Sequence, residues 1–204
     1  MEDTTGLPVR GERVVLRDWR AEDVPLLREW LRPHQEWHRW DGPYFPRPTD
    51  ADADRMCARL LTRIDRRDRP TPRQQLVIAD AASDALLGQV SWYFESEASD
   101  WRRLGIVLYD PAHWSGGRGT EALRMWAGYL FATTDVVRLD FATWSGNTGM
   151  CRIGQKLGWV EEARFRRARL VRGRRYDSVV HGVLREEWET AETGAPRRPP
   201  RPAG

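Results

Sequence analysis

The sequence predicts an α/β (α+β) domain with a mixed, mostly antiparallel central sheet flanked by helices. Three observations carry this expectation. Residues 74–80, 86–95 and 101–109 are strand-like runs separated by the short polar turns 82–84 and 96–100, the pattern of hairpin-connected strands. Residues 120–133 and 147–157 instead place apolar side chains at helical spacing and alternate with further strand-like segments. Residues 159–171 and 175–184 form two long strands around Arg172-Gly173-Arg174, a turn with glycine at its centre.

The first strand is expected at residues 13–17, after a polar N-terminal segment. Residues 21–31 then read as a helix. Val24, Leu27 and Trp30 form its apolar stripe, Glu22 and Asp23 occupy its first turn, and Pro33 follows its end. Pro25 is tolerated near the start, where backbone N–H groups lack helical partners. A second helix is expected over 50–66, with Met56, Leu60 and Ile64 at four-residue spacing and Cys57 and Leu61 beside them. In the helix at 120–133, Ala122, Trp126, Tyr129 and Leu130 share a face. Residues 138–144 alternate as a strand. Asn147 then caps the next helix, and Gly158 ends it. These elements fill a single domain over residues 8–188. Residues 1–7 are expected to be flexible, and the Pro/Arg-rich residues 189–204 to form a disordered tail.

Of the 204 residues, 31% are charged and 40% apolar, the balance of a soluble globular protein. The apolar runs are far too short to span a membrane, and the N-terminus lacks a secretory pattern, so no membrane partner is expected. Cys57 and Cys151 lie in apolar helical contexts without CxxC spacing, which implies buried free thiols and a cytoplasmic, reducing setting. The formal net charge is +3, and Lys156 is the only lysine. Arginine richness of this kind reflects coding bias, and nucleic-acid binding is not read from it. The seven arginines over residues 164–175 read as a solvated face. Their functional alternative is attraction of an acidic protein terminus, ribosomal RNA or a phosphate.

The most informative run is residues 107–122. An apolar strand ends at Asp110-Pro111, a glycine-rich loop follows, and an amphipathic helix begins at once. Free backbone N–H groups and a positive helix end make this an anion cradle suited to a phosphate or pyrophosphate. A Walker loop is excluded, because the only lysine precedes leucine. Residues 117–122 match GxGxxA, but three strands in hairpins come before them, and the nearest acid, Asp140, falls mid-strand. Both features argue against a dinucleotide fold.

Trp114-Ser115-Gly116-Gly117-Arg118-Gly119 resembles the pyrophosphate loop of the GNAT superfamily of N-acetyltransferases, in the Trp-first variant of its RimJ/RimL-like branch. The run from Asn147 to Trp159 resembles that family's Asn-x-x-Ser-x-x-x-x-x-Lys-Leu-Gly-Phe helix, and Arg185-Glu186-Glu187-Trp188 resembles the branch's ending. The resemblance implies acetyl transfer from acetyl-CoA to a primary amine by direct attack. The acceptor would be a protein N-terminus or a small-molecule amine. A non-catalytic acyl-CoA-binding or nucleic-acid-associated module of the same fold is the alternative.

The resemblance also implies that the sheet splays beside the strand before the loop. Val107, Leu108 and Tyr109 would meet the pantetheine arm, and Trp114, Ser115, Gly116, Gly117, Gly119 and Thr120 the pyrophosphate. Arg118 would either reach a phosphate or stay solvated, and Asn147 would serve as cap and arm ligand together. No metal is implied, and open strand edges make a homodimer conceivable. The family's frequent catalytic Glu and Ser positions are Arg103 and Met150 here, so neither role carries over. Candidate substitutes come from the loop at residues 32–48. His38 is the candidate base, and Glu36 and Asp41 are candidate amine-binding carboxylates. Trp37, Trp40 and Tyr44, together with Phe45, would form the acceptor wall.

Overall fold

The computed structural model describes residues 6–193. Alternation in the strands sets the layers. Val14, Leu16, Leu76 and Ile78 face one side of the sheet, while Val77 and Ala79 face the other. The strands are β1 (Val9–Arg10), β2 (Val14–Arg17), β3 (Gln75–Asp80), β4 (Leu86–Ser96), β5 (Trp101–Leu108), β6 (Arg138–Trp144), β7 (Val160–Val171) and β8 (Arg174–Leu184). They form one sheet in the order β1-β2-β3-β4-β5-β6-β8-β7. Neighbours are antiparallel except β5 and β6, which run parallel, so the expected mixed sheet is present.

Helices α1 (Val24–Trp30) and α2 (Asp50–Asp65) cover one face, packing Leu27, Ala53, Cys57 and Leu60 on Val77, Ala79 and Leu86. Helices α3 (Arg118–Thr133), α4 (Thr148–Leu157) and α5 (Arg185–Thr193) lie on the other face. There Trp126, Leu123 and Leu130 of α3 are fully buried against β2, β3 and β4. Apolar helix stripes on both faces give two cores separated by the sheet.

The helix ends follow local chemistry. Thr49 and Asp52 form a reciprocal capping box at the start of α2. Asn147 accepts the Met150 N–H at 3.1 Å, and Gly158 closes α4 in the left-handed conformation at φ +70°. α3 begins at Arg118, two residues before the expected start, because Gly117 adopts φ +83° at its N-cap.

Three expectations are corrected. In α2 the buried seam is Ala53, Cys57 and Leu60, whereas Met56 and Leu61 are exposed. A strict four-residue spacing rotates by about 40° per step, so only alternating steps of four and three hold one face. Cys151 is half-buried rather than buried, with Sγ 3.9 Å from the Trp144 carbonyl. Residues 189–193, expected in the tail, continue α5. That helix is held by Trp188 against Phe131, and by Arg185, which donates to the carbonyls of Phe131 in the last turn of α3 and of Thr134 and Val136 just after it. The rest of the expected tail, 194–204, and the first five residues lie outside the described residues.

The β5–β6 pairing positions everything that follows. It has only two registered pairs, Arg102 with Leu139 and Arg103 with Asp140. Asp140 is fully buried. It accepts from the Trp101 indole at 2.6 Å, Arg103 at 2.7 Å and Arg138 at 3.3 Å. Arg138 also bonds Glu162. Beyond this charged vertex the strands separate. Removing the buried carboxylate would leave Arg103 short of its main partner, so Asp140→Ala should lower stability by about 3–5 kcal/mol in urea unfolding. A loss below about 1 kcal/mol would show that the vertex is not held by this cluster.

Candidate functional site

Past Arg103, β5 remains paired with β4 along its whole length and β6 with β8 along its own. A cavity of about 800 Å³ occupies the gap, within the size range of small-molecule sites. β5 contributes its wall from Arg103 to Leu108, and β6 contributes Ala142, Thr143 and Trp144. The sheet thus splays beside the strand that precedes the glycine loop.

At one end the cavity reaches Trp114, Ser115, Gly117, Gly119 and Thr120. Ser115 at φ +66° and Gly117 at φ +83° turn the chain sharply into α3. No side chain caps the start of α3, so its first-turn N–H groups retain their capacity for an anion. A Cβ on Gly119 would lie 3.1 Å from Ile153 Cδ1, so glycine lets α3 approach α4 closely. α4 adds Arg152 and Lys156, one turn apart on the cavity side. Neither was singled out as a ligand in the sequence, although their i, i+4 spacing on a helix beside the loop was a readable signal.

The other end is walled by the loop after α1. Trp37 is buried and donates from its indole to the Trp30 carbonyl at 2.7 Å. Trp40 packs edge-on to Trp114 at 6.3 Å and stacks on Trp144 at 6.4 Å. The Trp40 carbonyl accepts from the Trp144 indole at 3.0 Å and from the Asn147 amide at 3.2 Å. The loop is thereby fastened to both β6 and α4. Tyr44 packs on Phe45, and the Arg169 guanidinium lies 4.3 Å above the Tyr44 ring. Tyr93, Arg103 and Arg169 line this end too, none of which was among the sequence candidates.

The candidate residues fall into two groups. Asp41 lies on the cavity wall and is reachable from it, and the surrounding protein raises its carboxyl pKa above the ordinary 3.8 by desolvation. His38 also belongs to the wall, stacked on Trp37 at 3.8 Å, and burial lowers its pKa. Its Nε2, however, is sealed from solvent and lacks a hydrogen-bond partner among the described residues. Val107, Leu108, Trp114, Ser115, Gly117, Gly119, Thr120 and Asn147 all border the cavity.

The remaining candidates do not meet it. Glu36 is half-buried, off the cavity wall, and paired with Arg39 at 2.9 Å. Arg118 is directed at Asp80, 3.6 Å away, and Gly116 is off the wall. Tyr109 donates its N–H to the Leu87 carbonyl at 2.9 Å and buries its ring against Trp30 and Trp37, on the α1–α2 side. Its hydroxyl pKa is pushed far up by burial, with Asp41 adding to the effect, so it stays protonated.

Residues 13–160 match the family model for the acetyltransferase (GNAT) domain. The chain belongs to that family. Among curated relatives, the SPbeta prophage-derived uncharacterized N-acetyltransferase YokL of Bacillus subtilis is 21% identical over 183 residues, covering 88% of this chain and 94% of that protein. The spermidine N-acetyltransferase of Vibrio cholerae, solved with CoA and spermine, superposes with a TM-score of 0.69 at 14% identity. It covers 88% of this chain and 99% of that one. The ribosomal-protein-S5-alanine acetyltransferase of Vibrio fischeri gives 0.68 at 16% identity, over 88% and 97% of the two chains.

This GNAT protein is therefore an N-acetyltransferase, of a family that moves acetyl from acetyl-CoA to amines. Its cavity suits that donor, with an uncapped helix start, a glycine permitting close approach, and Arg152 and Lys156 beside them. No helix among the described residues is long and apolar enough to cross a membrane. Asn147→Ala removes both the cap of α4 and the tie to Trp40, and should cost about 1–2 kcal/mol of stability. Asn147→Asp keeps an acceptor for Met150 but cannot donate to Trp40, so it should recover roughly half of that loss. Equal stability of all three proteins in urea would remove Asn147 as the fastening point.

Proposed function

We propose that this N-acetyltransferase transfers acetyl to a primary amine received against the wall formed by Trp37, Trp40, Asp41 and Tyr44. The observation that carries this reading is the continuity of one cavity from the uncapped start of α3, through the β5–β6 gap, to Asp41. The N–H groups of Gly117, Gly119 and Thr120, with Arg152 and Lys156, hold the phosphates of coenzyme A, and the open edge at Val107 and Leu108 holds its arm. When bound, acetyl-CoA supplies a thioester whose carbonyl is open to attack.

The chain's own groups then handle the amine. An ammonium cannot attack, so a proton acceptor is needed, typically worth about 10²–10⁴-fold in rate. Asp41 is the carboxylate on the wall that the cavity reaches directly, and its raised pKa brings it toward the range of a working base. His38 keeps its neutral ring packed beneath Trp37 and holds that indole in place, since its free nitrogen is sealed. Trp37, Trp40 and Tyr44 narrow the approach and exclude water from the reacting amine. We assign the chain to the RimJ/RimL-like branch, supported by the Trp114-first loop and by the likeness to the S5-alanine enzyme's fold.

Thiol release on mixing acetyl-CoA with a panel of amines and peptides tests the reaction; no release with any of them contradicts it. Asp41 must be ionised to accept a proton, so kcat/KM should rise with pH through an acid limb above the ordinary carboxyl value of 3.8. Asp41→Asn should abolish that limb and lower kcat about 10²-fold, with CoA affinity unchanged. An unaltered pH profile would remove Asp41 as the base. Replacing Arg152 and Lys156 together with Ala should weaken CoA binding about tenfold or more while leaving the acceptor KM in place. A shifted acceptor KM with intact CoA affinity would reverse that assignment.

A further inference from the structure

The charge along the cavity wall is unequal. Among the described residues Asp41 is the only carboxylate on the cavity wall, which also carries the arginines Arg47, Arg103 and Arg169. Arg103 is already matched, at 2.7 Å to both Asp140 and Glu95. Arg47 donates to the Pro33 carbonyl at 2.8 Å. Arg47, like Arg169, makes no ion pair with a described carboxylate, but the Arg169 side chain also lacks any hydrogen bond to a described residue, and its Nε is sealed from solvent. That Nε is out of reach of a ligand, but the two terminal nitrogens make no hydrogen bond or ion pair with a described residue and keep their capacity for a carboxylate.

Its placement requires a distortion of β7. Phe165 pairs with Ser178 and Arg169 with Tyr176, so β7 advances four residues while β8 advances two. The extra residues form a bulge in which Arg167 adopts φ +57°, an unfavourable conformation for a side chain of that size. Asp177 pins the bulge by accepting the Arg167 N–H at 2.9 Å and the Arg164 guanidinium at 3.0 Å. Bulges re-aim side chains, and this one delivers Arg169 onto the Tyr44 ring at 4.3 Å. Tyr44, Asp41 and Arg169 all line the same cavity, with the Arg169 guanidinium seated on the Tyr44 ring.

We infer that the acceptor is an amine carrying a carboxylate on the same molecule, its amine end facing Asp41 and its acid end held by Arg169. Polyamines would meet a single carboxylate among arginines and are disfavoured. The carboxylate has two possible sources, the α-carboxylate of a free amino acid or an acidic side chain next to a peptide N-terminus. The inference rests on the loop at residues 36–48 being the acceptor wall.

Binding to the CoA-loaded protein is measured by calorimetry for two matched pairs. Glycine against glycinamide tests the free amino acid, and Ala-Asp-Ala-amide against Ala-Asn-Ala-amide tests the acidic peptide. The acidic member of at least one pair should bind tenfold or more tightly than its amide, and the pair that discriminates identifies the source. Arg169→Ala should reduce that preference to twofold or less, and Arg169→Lys should restore part of it. Spermidine should bind more weakly than the preferred acid. Equal binding within both pairs, tighter binding of the amides, or a preference that survives Arg169→Ala overturns the inference. Acetyl transfer is scored in the same mixtures. Selective binding without transfer would leave acid recognition standing and contradict the acceptor assignment of the preceding section.

Discussion

β5 and β6 are each committed to an outer neighbour for their full length, and to one another for only two residue pairs. Paired outward along their whole length and joined to each other only where Arg102 meets Leu139 and Arg103 meets Asp140, the two strands separate beyond that joint. The joint is the Asp140 cluster. A carboxylate with no solvent exposure survives there because Trp101, Arg103 and Arg138 satisfy it. The cavity, its backbone walls and the distance between its two ends all follow from where this joint sits. Placed further along β5, it would close the gap that opens toward the glycine loop.

The two ends of the cavity are mechanically linked. The Trp40 carbonyl takes hydrogen bonds from Trp144 on β6 and from Asn147 at the start of α4. Trp114 ties the glycine loop back to the Leu108 carbonyl at 2.9 Å and meets Trp40 edge-on. Indoles fill space and donate one directed hydrogen bond, so these tryptophans set both the width of the cleft and the position of its loops. The loop at residues 36–48, β6 and the start of α4 therefore share one hydrogen-bonded node at the Trp40 carbonyl.

What was legible in the sequence is mostly local. Asn147 and Gly158 bracket α4 because caps act within a turn, and the bounds of β6 follow from simple alternation. The glycine loop could be read as an anion cradle from its strand–loop–helix context alone. The rest depends on distant partners. The α2 seam was misjudged because a strict four-residue spacing drifts off the face that packs on α1 and β3. α5 looks too polar to fold alone and exists because Trp188 and Arg185 dock on the end of α3. His38 and Asp41 are three residues apart in one loop, yet packing seals the nitrogen of one and opens the other to the cavity. Arg169 was one arginine among seven until a bulge singled it out.

The central claim is that one continuous cleft joins the donor site at α3 to the acceptor wall at Asp41. A crystal structure of the protein with CoA tests it most directly. The account predicts the pyrophosphate within hydrogen-bond distance of the N–H groups at residues 117–120, and the thiol in the β5–β6 gap on the side of Asp41. CoA bound outside that gap, or with its thiol directed away from the loop at residues 36–48, would contradict it.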